Sequence, residues 1–180
     1  VLQSLSNTKF HLAGAMPSGT GVDVAAFNTM AARAKQTLGV DVLTHEDAAA
    51  AAAAIGMEVP TSAAGFFYNG AIHLIRANNA TKKDLTFTIA HEAGHSGMAK
   101  LLGQSLDAAM NRMWANAEMR KRIKTAMVAN PGMTRQIAAE EVLADMLAAG
   151  EKINSSVMAK LYNGVRNFFA RLVGIRDLVV

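Results

Sequence analysis

Residues 66–95 decide the fold. They open Phe66-Phe67-Tyr68-Asn69-Gly70-Ala71-Ile72-His73-Leu74-Ile75 and pass a polar turn at Asn78-Asn79. They close on Leu85-Thr86-Phe87-Thr88-Ile89-Ala90-His91-Glu92-Ala93-Gly94-His95. The first block predicts a β-hairpin. Asn69-Gly70 supplies the positive φ angles of a type I′ turn between two strand-forming runs. The second block predicts a helix capped by Thr81, starting at Lys82 and running to about Leu102, with Gly103 after it. Within it, His91-Glu92-x-x-His95 places two imidazoles one helical turn apart on one face, where they can share one metal ion. Glu92 stands beside the first imidazole, where it can reach a water on the metal without being a ligand. That is the position a general base needs.

Upstream, residues 1–22 read as irregular. Asp23 caps a helix from Val24 to Leu38, Val40–Leu43 forms a short strand, and a polyalanine helix spans His45–Ile55. Downstream the chain reads helical. One helix runs from a Ser105 cap to Ala129, and Asn130-Pro131-Gly132 breaks it. A second runs from Arg135 to Ala149 behind Thr134, and a third spans about 153–173. A few strands followed by a run of helices predicts an α+β fold. Trp114, Met110, Met113 and Met127 are expected in the core, and Phe168-Phe169 dock the last helix. His11 and His45 are expected in loops or caps.

Composition narrows the chemistry. The 180 residues include no cysteine, so a Cys-ligated zinc site, a disulfide framework and a thiol nucleophile are excluded. Histidine and carboxylate remain as metal ligands. Two histidines are too few for a catalytic zinc site. Glu140-Glu141-x-x-x-Asp145 supplies candidates on a later helix with much apolar surface. Glu141 and Asp145, spaced i, i+4, share a face. Glu141 can ligate, and Asp145 can accept from the free N–H of a ligand imidazole. Glu140 points away and is expected to be solvated or paired with a basic residue. Ala93, Gly94, Gly97 and Ala144 are small enough for the two helices to pack closely.

The net charge of +4 gathers at Arg120, Lys121, Arg122 and Lys124, which read as a solvated helix face. A nucleic-acid partner is therefore not expected. The longest apolar run, Ala48–Ile55, is far short of the ~20 residues that span a bilayer. No secretion signal is visible. The first residue is Val1, which suggests one domain, 1–180, excised from a larger protein, with a core over 24–150.

These residues resemble a gluzincin metallopeptidase, a zincin-type fold. In that group His-Glu-x-x-His is completed by a Glu on a later helix, here matching His91, Glu92, His95, Glu141 and Asp145. The hairpin followed by the motif helix is similar to the ImmA/IrrE-type peptidases of phages, mobile elements and stress responses. It is closer still to the peptidase-like domains of phage and plasmid polyvalent proteins, which carry a strand like Gly65-Phe66-Phe67-Tyr68 before the motif. The resemblance implies a small N-terminal sheet, a zinc cofactor, and hydrolysis of a peptide or protein substrate, the parent polypeptide among the candidates. It also implies an intracellular or virion setting. Tyr68, His73 and Tyr162 are candidates for a second oxyanion donor, and Ala71–Arg76 could receive an extended peptide by strand addition. The alternative is a non-catalytic module that keeps the zinc or only the fold.

Overall fold

The computed structural model describes residues 9–12, 21–102 and 106–151. Its elements are β1 (Lys9–Leu12), α1 (Val24–Leu38), β2 (Asp41–His45), α2 (Ala48–Ile55), β3 (Ala63–Tyr68), β4 (Ala71–Ile75), α3 (Lys82–Leu102), α4 (Leu106–Ala115), α5 (Ala117–Ala129) and α6 (Arg135–Ala148). The architecture is mixed α+β. The sheet has the order β1-β3-β4-β2, with β2 parallel to β4 and the other pairs antiparallel.

The hairpin turns where Asn69-Gly70 predicts, with Asn69 at φ 49° and Gly70 at φ 80°. The spans of α1 and α3 match the sequence reading. Thr81 and Asp84 close α3's first turn reciprocally. Asp84 N–H donates to Thr81 Oγ1 (3.1 Å), and Thr81 N–H donates to Asp84 Oδ2 (3.0 Å).

Several expectations are corrected. The segment 1–22 is not irregular throughout, because Lys9–Leu12 pairs with β3. His45 ends β2 rather than opening α2, whose cap is Asp47. The long helix expected to end at Ala129 breaks at Asn116. The Asn116 side chain accepts from the N–H groups of Glu118 and Met119 and starts α5 anew. Strand addition to β4 is ruled out, since β3 and β2 occupy both its edges. Trp114 is only partly buried and sits under the Arg135 guanidinium, while Met110 and Met113 are core. Ser105, Tyr162, Phe168-Phe169 and the helix expected at 153–173 lie outside the described residues.

Alternation along the strands divides the sheet into two faces. Ile72 and Leu74 face a large core shared with α1, α3 and the helical half. Phe66 and Ile75 face a smaller core under α2. The first face carries α3, which also packs on α6, α4 and α1 and touches β1. From His91 to Met98 every residue of α3 is buried.

Two residues set how α3 sits on the hairpin. Asn79 is fully buried. Its amide donates to Ala64 O (2.9 Å) and Ile75 O (2.8 Å), and its side-chain oxygen accepts from the Thr88 hydroxyl (2.8 Å). One side chain thus joins β3, β4 and α3. Gly65 provides the close approach. A Cβ there would lie 2.6 Å from Thr88 Cγ2 and 3.0 Å from His73 O, so any side chain would push α3 off the sheet.

Asn79→Ala would strand two carbonyls and a hydroxyl in the interior. We expect a loss of about 2–3 kcal/mol in unfolding free energy. Chemical denaturation measures it, and an unchanged midpoint would refute the role given to Asn79.

Candidate metal centre

The i, i+4 spacing of His91 and His95 on α3 turns both rings toward α6, where Glu141 meets them. His91 Nε2 lies 3.1 Å from His95 Nε2 and 3.2 Å from Glu141 Oε2, and His95 Nε2 lies 3.3 Å from Glu141 Oε1. These three residues form a buried group close enough to bind one metal ion. The donor set passes a geometric test. Tetrahedral ligands at 2.0–2.1 Å from zinc stand about 3.3 Å from one another.

The surroundings orient the donors. His91 Nδ1–H donates to Asp145 Oδ1 at 2.9 Å, which leaves the Nε2 lone pair facing the centre of the group. Two imidazole lone pairs and a carboxylate pointed at one spot repel unless a cation or a proton lies among them. The electrostatics show this tension. Burial pulls the His91 imidazolium down, but the hydrogen bonds to Asp145 and Glu141 and the nearby Glu92 charge outweigh it, pushing His91 up to about 10. Burial alone would raise Glu141, yet the two histidines hold its carboxyl well below the usual range. A binding metal therefore displaces a proton.

Of the two adjacent acids on α6, the structure brings Glu141 to the histidines' Nε2 atoms. Glu140 is not solvated as expected. It is mostly buried, with a carboxylate oxygen 3.9 Å from His95 Nδ1. Ala93 and Ala144 are fully buried where α3 meets α6, as close packing of these helices requires.

Glu92 is fully buried and is not one of the three converging residues. One position past His91, it turns toward β3, where a Cβ on Gly65 would lie 3.4 Å from its Cγ. The group thus combines a metal-binding triad facing α6 with a carboxylate beside it facing the sheet.

Tyr68 and His73 are not brought to the triad. Both lie on the α2 face of the sheet, opposite α3. Tyr68 packs on the smaller core, and His73 stacks on Phe66 with centroids 4.5 Å apart. His45 Nε2 lies 2.9 Å from His73 Nδ1 with the ring planes parallel. Burial, with His45 beside it, holds His73 down at about 4, against a smaller opposing pull from the Tyr68 backbone. Sequence reading missed Asn79 and Gly65 as the residues that seat the motif helix. A glycine inside a strand pattern was the available signal for Gly65.

No protein-family model, curated protein or solved structure matches the chain, so the site is read from its own geometry. That geometry makes two predictions. By equilibrium zinc titration, His91→Ala should abolish stoichiometric binding, and Asp145→Asn should weaken it by about 10–100-fold. Glu140→Gln should do less, because 3.9 Å is too long for a hydrogen bond. Equal losses for Glu140 and Asp145 would contradict this ordering. The second prediction concerns His73. Its folded value lies below the unfolded one, so the unfolded chain binds the extra proton between pH 6.5 and about 4. Stability should fall as pH drops through that window. His73→Phe should flatten this part of the pH–stability curve, and an unchanged slope would count against the assignment.

Proposed function

We propose that this chain is a zinc-dependent peptidase domain of the gluzincin kind, with a zincin-like arrangement of sheet and helices. One observation carries the reading. A buried His91–His95–Glu141 group has tetrahedral donor spacing, and an uncommitted carboxylate, Glu92, stands next to it. His91, His95 and Glu141 would hold the metal. When bound, zinc lowers the pKa of a water to near neutrality and polarises a carbonyl oxygen.

The chain's own groups do the rest. Glu92 takes a proton from the attacking water as the new C–O bond forms at the scissile carbonyl carbon. It then delivers that proton to the leaving amine nitrogen as the C–N bond breaks, and returns to carboxylate. Asp145 holds His91 in the tautomer that presents Nε2. Asn79 and Gly65 fix α3 on the hairpin, and so fix Glu92 relative to the sheet. The substrate class is a peptide or protein, the parent polypeptide among the candidates.

A second reading has its own observation. His91, Glu92 and His95 are 1%, 0% and 5% exposed, and closed sites are a mark of structural zinc. On that reading the domain is a non-catalytic module held together by its metal.

Glu92→Gln separates the two. On the peptidase reading the variant keeps one zinc per chain and loses hydrolysis of labelled casein by about 10²–10⁴-fold. A variant that cleaves as well as the parent would sink the mechanism. A zinc-loaded parent that cleaves no casein or unstructured peptide would favour the structural module.

A further inference from the structure

The sheet has two outer edges, on β1 and β2. Without β1, the outer edge of β3 would be open along the side nearest α3. β1 is four residues long, and its principal neighbours are β3 and α3. It runs antiparallel to β3, with Lys9, Phe10 and His11 opposite Phe67, Phe66 and Gly65 before the register shifts at Leu12.

Gly65 is where β3 lies closest to the buried carboxylate, since its missing Cβ would sit 3.4 Å from Glu92 Cγ. Neighbouring strands are about 4.7–4.9 Å apart. The backbone at His11 is therefore the next strand out from the point where β3 meets Glu92. An extended chain in this position is held by backbone hydrogen bonds, which make little demand on its sequence. The near-zero exposure of His91, Glu92 and His95 fits this placement. With β1 docked, an external chain has no open strand edge beside Glu92.

We propose that the outer edge of β3 is a binding site for an extended peptide laid antiparallel to it, and that Lys9–Leu12 occupies it in cis. The proposal rests on the peptidase reading for its purpose, but not for its test. β1 must leave β3 before another peptide can take its place. Docked β1 therefore lowers the apparent affinity for an outside peptide in proportion to its own occupancy. β1 is suited to leave, being short, at an edge and paired on one side only.

The test uses the full chain in a Glu92→Gln background, so binding is read without cleavage. The probe is a fluorescent synthetic peptide with the sequence of residues 5–16. Phe10→Pro with His11→Pro removes two successive backbone donors from β1 and weakens its pairing. This variant should bind the peptide about tenfold or more tightly than its background, and its β3 amides should exchange faster until peptide is added.

A second pair guards against misfolding. The chain has no cysteine, so Lys9→Cys with Phe67→Cys places the only two thiols on directly opposed residues. The oxidised form should not bind the peptide, and reductant should restore binding. Equal peptide affinity in the oxidised and reduced forms would overturn the proposal. So would equal affinity in the proline variant and its background. With Glu92 restored and zinc bound, peptide binding without hydrolysis would instead refute the peptidase reading and leave the edge site standing.

Discussion

The structure turns on one constraint: a polar stripe buried on a helix that is covered all round. From His91 to Met98, α3 has no solvent-facing side, yet it carries His91, Glu92, His95 and Ser96 there, with Thr88 one turn earlier. Buried polar groups are costly unless each meets a partner. The surrounding elements supply those partners in different ways. Asn79 satisfies Thr88 while tying two strands together. α6 brings two carboxylates to His91. Gly65 gives up its side chain so that β3 can approach Glu92.

This constraint also divides the motif's labour. His91 and His95 lie one turn apart and face α6. Glu92 is rotated about 100° from His91 and faces the sheet. The carboxylate is thereby kept off the metal ligands' side while remaining next to them. The other histidine pair serves a different end. His45 and His73 lie across the sheet, stacked with Phe66 under α2, where burial keeps His73 neutral. Basic residues of α5 stay outside both clusters. Among them, Arg122 is paired with Glu118 and Glu151 at the surface.

Much of this was legible in the residues themselves. Asn69-Gly70 announces the hairpin because few other dipeptides tolerate two positive φ angles. Thr81 and Asp84 mark the start of α3, because a helix's first N–H groups need side-chain acceptors. The spacing Glu141-x-x-x-Asp145 foretold a ligand and an orienting acid, and the structure brings both to His91. Less was legible where the outcome depended on distant chain. Asn116 reads as an ordinary residue inside a helical pattern, yet it caps α5. Glu140 looked solvent-bound by helical phase, but it is buried close to His95. Tyr68 and His73 are near the motif in sequence, but strand alternation sends them to the wrong side of the sheet.

The sequence by itself determined the local pieces: where the hairpin turns, where α3 begins, and that two imidazoles share one helical face. It also determined that, without cysteine, any metal must be held by histidine and carboxylate. These follow from covalent geometry, helical period and residue chemistry, which need no knowledge of distant chain. Only the tertiary structure decided which acid completes the triad, which face of the sheet each side chain meets, and that β1 pairs with β3 beside Glu92. Those outcomes depend on how α6 and the N-terminal strand pack against α3. Packing of segments far apart in the chain is settled by the sum of many weak contacts and not by any local pattern.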